Sequence, residues 1–338
     1  MWRDTLLNLN IKNYNMNIFI IGSGTFGTAI ANELATNLNN DVMLYCRSID
    51  KVNEINISNS NLKYFPNKKL NNRLIATNKI EDINNYEIVF IALPSSVLIN
   101  SLDKFQKHIS KDHLLVNLSK GIFKNGITIV DFLEKKFNTK NVVSLKGPSF
   151  AVEIMENSKT LLTLGYSNDD QLKKIKKIFL KSNIYIDSTK DIRGVEILSV
   201  IKNIYALIMG IIDAKYNSPN TRFMFLSKIF SEIRLLNTHM NGELNTLFLA
   251  CGLGDVCLTS LNDLSRNRTL GLLIGKGFYE PNSKENTVVI EGLNSINTIF
   301  SMLDEVLIEQ LPLLNKLNSF FNSQEKRFII DFNEFFKD

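Results

Sequence analysis

The chain has 338 residues, 44% of them hydrophobic, and carries a net charge of +5 at pH 7. This length and apolar content suffice for a sizeable core and predict two domains. Three cysteines and three histidines at irregular spacing argue against a disulfide framework or a metal site, and the dispersed lysines and arginines argue against nucleic-acid binding.

Residues 1–15 precede the first predicted strand and lack the long apolar stretch of a secretory signal. We expect them to be a dispensable N-terminal extension, or the product of an upstream start codon. The longest apolar run, 195–212, is interrupted by Glu196, Lys202 and Asn203, whereas a membrane span needs about 20 apolar residues. The sequence therefore predicts a cytoplasmic protein without membrane insertion.

The first part of the chain alternates apolar strands with helical stretches. "MNIFIIG" at 16–22 is typical of a buried strand, and apolar residues then recur at every fourth position as on a helix. Further strands are predicted at 41–47, 73–78, 86–93, 113–119, 141–147, 160–166 and 183–189. This alternation predicts a doubly wound, mostly parallel sheet covered by helices on both faces.

Beyond about residue 194 the pattern becomes helical throughout. Periodic apolar segments occupy 195–215, 219–236, 241–250, 268–277, 289–304 and 308–321. We therefore predict a Rossmann-like α/β domain over 16–193, followed by an all-α domain over 194–338, with a cleft between the two.

A glycine fingerprint lies between the first strand and the first helix. Gly22, Gly24 and Gly27 form G-x-G-x-x-G, which allows a tight turn, a close approach of the backbone to a pyrophosphate and close helix–strand packing. A phosphate-transfer P-loop would need lysine where Thr28 stands. The fingerprint indicates a dinucleotide site, with a purely structural glycine turn as the alternative.

The second strand ends with Arg47 and Ser48, where a site restricted to NAD usually has an acidic residue for the ribose hydroxyls. An arginine here can pair with a 2′-phosphate. We expect NADPH to be accepted as well as NADH; a solvated surface arginine is the alternative.

Several later stretches carry candidate chemistry. "LSKGIF" and "KGPSFAVE" follow predicted strands, where open α/β sheets bind ligands. Lys202 lies in an apolar helix, which draws the pKa of its ammonium towards neutrality, unless the side chain reaches water. "CGLGDVCLTSLNDLSRNRTLG" joins Asp255 to a cluster in which Arg266 suits a phosphate. Arg266 and Arg268 have a structural alternative, capping a helix or pairing with Asp263.

Taken together, these stretches resemble a known family. The fingerprint with "TAIA", then "KG", "GPSFAVE", "IKN", "GLGD", "LTS…SRNR" and "VIEG" are similar in order and spacing to bacterial-type NAD(P)-dependent glycerol-3-phosphate dehydrogenases. The resemblance covers about residues 16–300. It implies a homodimeric enzyme that reduces dihydroxyacetone phosphate to sn-glycerol 3-phosphate with NADH or NADPH, without a metal, for phospholipid synthesis. It also implies a second domain like the helical one of 6-phosphogluconate dehydrogenase.

The resemblance also implies roles for individual residues. Lys202 matches the proton donor and acceptor, and Lys120 matches a second catalytic residue between cofactor and substrate. The implied substrate contacts are Lys120, Gly147, Ser149, Lys202, Asp255, Ser265, Arg266 and Asn267. The implied cofactor contacts are Gly22, Gly24, Thr25, Phe26, Gly27, Arg47, Tyr64, Lys120, Ala151, Arg266, Val289 and Glu291.

The chain departs from the family pattern without losing a catalytic group. Lys146 stands where the family commonly has serine or alanine and adds a cation near the expected cofactor site; Phe26 replaces a tryptophan and Ser260 a cysteine. Three alternatives stay open at this point: a related two-domain reductase of another hydroxy acid or ketone, a catalytically idle dinucleotide sensor, and a basic nucleic-acid binder.

Overall fold

The computed structural model of the chain describes residues 15–279, 295–323 and 327–336. Its first part contains one sheet of eight strands: β1 (Met16–Ile21), β2 (Asn40–Tyr45), β3 (Ile75–Thr77), β4 (Ile88–Ile91), β5 (Leu114–Asn117), β6 (Val142–Lys146), β7 (Thr160–Gly165) and β8 (Ile184–Thr189). Their order across the sheet is β3-β2-β1-β4-β5-β6-β7-β8. All neighbours pair in parallel except β6 and β7, which are antiparallel.

Helices cover both faces of this sheet, since successive strand residues point to opposite sides. Ile18 and Ile20 of β1 pack in one apolar cluster, whereas Phe19 and Ile21 pack in another on the opposite face. The helices of this part are α1 (Thr25–Leu34), α2 (Ile49–Ser58), α3 (Ser95–Asp103), α4 (Ile129–Phe137), α5 (Ala151–Met155) and α6 (Asp169–Ile178). The first cluster includes side chains of α1, α2, α5 and α6, and the second includes those of α3 and α4. The predicted doubly wound sheet is confirmed.

The strand order reverses beside β1, because β1 pairs with β2 on one side and with β4 on the other. In open α/β sheets, ligands bind outside the carboxyl ends of the strands at such a reversal. The glycine fingerprint begins at the carboxyl end of β1. The topology thus places this turn where a dinucleotide is expected.

The rest of the described chain is helical. It comprises α7 (Ile192–Lys215), α8 (Pro219–His239), α9 (Asp255–Leu261), α10 (Arg266–Gly275), α11 (295–300), α12 (Glu305–Glu309), α13 (Pro312–Asn322) and α14 (Phe332–Phe336). These helices share one apolar cluster centred on α7. An all-α second part is therefore confirmed, and the division at residues 193 and 194 stays a prediction.

Helix α7 is the central helix of this second part. Its mean hydropathy of 1.8 over 18 residues would suit a membrane span, but 94% of that window is buried inside the protein. The helix begins where the Asp191 carboxylate accepts the Gly194 N–H at 2.7 Å. We conclude that α7 is the core helix of a packed domain.

One predicted helix is wrong. Residues 241–250 form only a short 3₁₀ turn, Leu244–Phe248. The Asp191 carboxylate accepts the Glu243 N–H at 2.7 Å and the Thr246 hydroxyl at 2.6 Å. These contacts hold the segment against the start of α7, and periodicity along the sequence does not reveal them.

Candidate active site

The three fingerprint positions favour glycine for different structural reasons. Gly22 has φ of +120°, and a Cβ there would lie 2.4 Å from the Ala92 carbonyl oxygen. A Cβ on Gly27 would lie 2.0 Å from the Gly22 carbonyl oxygen. A Cβ on Gly24 would meet no described atom within 4 Å. Packing therefore requires the outer two glycines, whereas Gly24 faces open space that a ligand can fill.

The start of α1 suits an anion. Gly24 is its N-cap, and no side chain of the described residues caps it, so its first N–H groups are available to phosphate oxygens. Asn61 braces the turn, with Nδ2 donating to the Ser23 carbonyl at 3.3 Å and to the Thr28 hydroxyl at 2.9 Å. These residues fit a dinucleotide pyrophosphate. The brace comes from a distant loop, and no sequence pattern identified Asn61.

The other predicted cofactor residues lie around this turn or outside the described chain. Thr25 and Phe26 open α1, and Ala151 opens α5, which packs against α1. Arg47 is exposed at the carboxyl end of β2, and Tyr64 is half-buried against the cluster that contains α1. Val289 and Glu291 lie outside the described residues.

A cavity of about 300 Å³ opens where the sheet meets the helical part. It is lined by Ser95, Lys120, Gly121, Ser149, Phe150, Val200, Lys202, Asn203, Asp255, Leu258, Thr259, Leu264, Ser265, Arg266, Asn267 and Ser295. All the predicted substrate residues except Gly147 are among them. Within the described residues, no cluster of histidine, cysteine and acidic side chains could hold a metal ion.

Lys202 forms the buried end of this cavity. Its ammonium donates to Asp255 Oδ1 and, at 3.0 Å, to the Thr259 hydroxyl. Asp255 Oδ2 accepts no hydrogen bond from the described residues, and the Lys120 ammonium lies 3.6 Å from it. The Lys202 side chain is only 5% exposed, so it does not extend to water. One carboxylate thus lies between two lysines.

The surroundings shift the acidity of Lys202. Burial lowers the pKa of its ammonium to about 7; the Asp255 carboxylate opposes this change, and the nearby Lys120 charge reinforces it. The lysine therefore exchanges a proton near neutral pH, as a general acid and base must. The direction of this shift agrees with the one predicted from the apolar helix.

The two arginines of "SRNR" have different roles. Arg266 lines the cavity at the first position of α10, and Asn267 follows it. Arg268 is 7% exposed and forms ion pairs with Asp213 and Asp263. Arg266 is therefore the cation that faces the cavity, and the structural alternative is correct for Arg268.

Helices α7 and α10 pack backbone to backbone. A Cβ on Gly210 would lie 2.2 Å from the Arg268 carbonyl oxygen, and one on Gly271 would lie 2.0 Å from the Leu207 carbonyl oxygen. Neither position has space for a larger residue. This close contact fixes the first residues of α10, including Arg266, relative to Lys202 on α7.

The cation added by Lys146 does not lie in the cavity. Its side chain is 1% exposed, and its ammonium lies 3.1 Å from Glu196 Oε1. Gly147 has a φ of +155°, with its backbone packed against β7, and Ser149 continues into the cavity wall. Residues 146–149 therefore run from the core to the cavity.

Three residues that line the cavity, Thr259, Ser95 and Ser295, were not predicted from the sequence. Thr259 lies four residues after Asp255 on α9, so assigning a helix there would have placed both on one face. Ser95 lies just beyond β4 and Ser295 belongs to another helix. No local pattern connects these two serines with the lysines.

The fold and the site define a class of protein: a two-part NAD(P)-dependent oxidoreductase with a Rossmann-like dinucleotide domain and a helical domain that completes the cavity. Within this class, the chain belongs to the NAD-dependent glycerol-3-phosphate dehydrogenase family. The family model of the N-terminal part matches residues 17–172, and that of the C-terminal part matches residues 191–327.

Individual relatives agree with this assignment. The glycerol-3-phosphate dehydrogenase [NAD(P)+] of Methanothermobacter thermautotrophicus is 34% identical over 302 residues, which cover 88% of this chain and 91% of the relative. That of Saccharophagus degradans is 30% identical over 317 residues, covering 93% and 88%.

Solved structures agree as well. The crystal structure of glycerol-3-phosphate dehydrogenase from Coxiella burnetii superimposes with a TM-score of 0.81 at 25% identity, covering 93% of this chain and 96% of that one. The Plasmodium falciparum glycerol-3-phosphate dehydrogenase has a TM-score of 0.82 at 20% identity, covering 94% of each chain. The latter likeness concerns the fold alone.

The glycine turn yields a paired prediction. Gly24→Ala should weaken NADPH binding strongly with little change in thermal stability, because the added methyl group meets only the ligand space. Gly27→Ala should instead lower the stability by about 1–3 kcal/mol through overpacking. Calorimetric titration with NADPH and thermal unfolding of both variants test this difference. Equal stability losses in the two variants would contradict it.

Proposed function

We propose that this chain reduces dihydroxyacetone phosphate to sn-glycerol 3-phosphate, reversibly, with NADH or NADPH as the hydride donor. The observation that carries the proposal is the buried Lys202 ammonium, bonded to Asp255 in a cavity that Arg266 also lines. A proton donor and a phosphate-binding cation thus face one space of about 300 Å³. A catalytically idle sensor would not need the buried lysine.

Lys202 acts at the carbonyl group. When bound, the reduced nicotinamide supplies a hydride to the ketone carbon. Lys202 Nζ donates a hydrogen bond to the ketone oxygen, stabilises the negative charge that grows there and gives up its proton to form the hydroxyl group. In the reverse direction the neutral amine accepts that proton. Lys120, also beside Asp255, adds positive charge on the cofactor side.

Asp255 and Thr259 orient the lysine. Asp255 Oδ1 and the Thr259 hydroxyl each accept a hydrogen bond from its ammonium, which directs the remaining proton into the cavity. Asp255 Oδ2 has no hydrogen-bond donor among the described residues. This oxygen is buried and lies 3.6 Å from the Lys120 ammonium, so we assign it to the electrostatic support of Lys120.

The phosphate of the substrate binds at the start of α10. Arg266 supplies a guanidinium at the first position of this helix. Asn267 and Ser265 add polar groups, although the Ser265 hydroxyl also accepts the Arg268 N–H at 3.3 Å. Ser149 lines the same cavity, and Gly147 contributes through its backbone.

The cofactor binds along the carboxyl ends of the strands. Gly24 and Thr25 would hold its pyrophosphate, Phe26 and Ala151 would flank it, and Arg47 would contact the adenosine end. Tyr64 would lie on the nicotinamide side. Arg266 and Lys120 border both ligands, and we keep Val289 and Glu291 as cofactor contacts from the sequence resemblance.

The biological setting is part of the same proposal. The product of this reaction is the backbone of glycerophospholipids, so we assign the protein to phospholipid synthesis. We further propose that it works as a homodimer in the cytoplasm. Family resemblance supports these assignments; gel filtration with light scattering tests the dimer.

Activity with Lys202 replaced is the direct test. Wild-type protein should oxidise NADH or NADPH when dihydroxyacetone phosphate is added, and Lys202→Met should lower kcat by about 100-fold or more because the proton donor is lost. Lys215→Met, at an exposed position of the same helix, is the matched control. Nicotinamide absorbance reports turnover. A Lys202→Met variant as active as this control would refute the assigned role.

The rate should depend on pH in opposite senses in the two directions. Lys202 titrates at about 7, and reduction needs its ammonium form, so kcat for reduction should fall as the pH rises through that value. Oxidation of glycerol 3-phosphate needs the neutral amine and should become faster. In Lys120→Met the falling limb of reduction should move to higher pH, because a like charge is removed. Initial rates across the pH range measure both limbs.

Arg47 should set the use of the two cofactors. Arg47→Ala should lower kcat/KM for NADPH by roughly tenfold, the loss of one exposed charged contact, and leave kcat/KM for NADH nearly unchanged. Arg73→Ala is not a suitable control because Arg73 bonds four backbone carbonyls. Lys79→Ala, on the loop after β3, is preferable. Equal losses with both cofactors would contradict the role in 2′-phosphate binding.

A further inference from the structure

We propose that a buried ion pair below the cavity, Lys146 with Glu196, acts through Asn117 as a positioning element that holds Lys120 and Lys202 in their reactive places. The inference deepens the proposed function and rests on it for its kinetic readout. None of the three positioning residues lines the cavity.

The pair is fully enclosed. Lys146 ends β6 and Glu196 lies near the start of α7; their charged atoms are 3.1 Å apart, and their side chains are 1% and 2% exposed. Apolar side chains of similar volume generally stabilise a core at least as well as such a pair. Its presence here therefore calls for a role other than stability.

Asn117, the last residue of β5, completes the pair. Its Nδ2 donates to the two Glu196 carboxylate oxygens at 2.9 and 3.1 Å. Its backbone carbonyl oxygen accepts a hydrogen bond from the Lys146 ammonium at 2.9 Å. The Ser144 hydroxyl also donates to Glu196. The ends of β5 and β6 are thereby bonded to α7 through one carboxylate.

The same amide also fixes the turn that carries Lys120. Asn117 Nδ2 donates to the Ser119 carbonyl at 3.1 Å, and Asn117 Oδ1 accepts the Ser119 N–H at 2.9 Å. Lys120 follows directly, with its ammonium 3.6 Å from Asp255 Oδ2. A change at the ion pair is transmitted to Lys120 through these two hydrogen bonds.

Lys202 is connected to the ion pair through helix α7, which also carries Glu196. It lies on α7 six residues after Glu196, about 9 Å along the helix axis. The charged groups that face Lys202 are Asp255 from α9 and Lys120 from the turn after β5. If Lys120 moves away, Lys202 loses a like charge and titrates at higher pH.

Four variants separate positioning from stability. Lys146→Met and Glu196→Gln each leave one buried charge without its partner, and Asn117→Ala keeps the pair but removes its link to Ser119. Each should lower kcat for reduction by tenfold to about a hundredfold and move the falling pH limb upwards, with little change in the Kd for NADPH. The double variant Lys146→Met/Glu196→Gln leaves no charge unpaired, so its unfolding temperature should recover, but its kcat should stay low because the ion pair that positions Asn117 is absent.

Ser144→Ala is the matched control, because it removes one hydrogen bond to Glu196 and leaves the pair and its link intact. Its pH limb should coincide with that of the wild type. A lower unfolding temperature with unchanged kcat and an unmoved pH limb in the three single variants would make the pair merely structural and overturn the proposal. If Lys146→Met and Glu196→Gln do not fold because each leaves an unpaired buried charge, Asn117→Ala, which changes no charge, tests the positioning role alone.

A measurement without substrate separates this inference from the proposed function. The titration of Lys202 is followed by NMR of isotope-labelled lysine side chains in wild-type protein and in Asn117→Ala, with Lys202→Met assigning the signal. A higher pKa in Asn117→Ala supports the positioning role even if dihydroxyacetone phosphate is not turned over. Identical titration in both proteins overturns it, whatever the substrate.

Discussion

A lysine ammonium buried in an apolar helix requires a carboxylate beside it, and the cavity is organised around this constraint. Asp255 provides this carboxylate for Lys202, and the same carboxylate lies 3.6 Å from the Lys120 ammonium. One negative charge between two cations, with Arg266 also lining the cavity, leaves an excess of positive charge there. That excess suits a phosphate dianion. Burial, reinforced by the Lys120 charge, lowers the pKa of Lys202, so the same cavity suits both binding and proton transfer.

The sheet and the helical part make separate contributions that meet at α7. The sheet supplies the strand ends: the glycine turn after β1, Lys120 after β5 and Ser149 after β6. Helix α7 packs on β6 and β7 as well as on α9 and α10. The helix that carries Lys202 is therefore also the helix on which the strand ends and α10 are assembled.

Local sequence patterns predicted the strands and the glycine turn, and they failed where a contact joins residues far apart in the sequence. The eight strands follow from continuous apolar runs, and the glycine fingerprint from its spacing beside β1. Glu196, Asn203 and Gly210 recur every seven residues and form a stripe on one face of α7, but they have different partners: Glu196 bonds Lys146 in the core, Asn203 lines the cavity and Gly210 contacts α10. A stripe shows which residues share a face and not what lies opposite. The same limit explains why the bracing by Asn61 and the burial of Lys146 could not be predicted.

The backbone contact between α7 and α10 has a consequence for selectivity. Gly210 and Gly271 leave no space for a methyl group, so the separation of the two helix axes is set by the smallest possible residues. That separation also sets the distance from Arg266, the first residue of α10, to Lys202 on α7. Neither glycine lines the cavity, yet a larger residue at either position would spread the two helices and lengthen the distance across the proposed site.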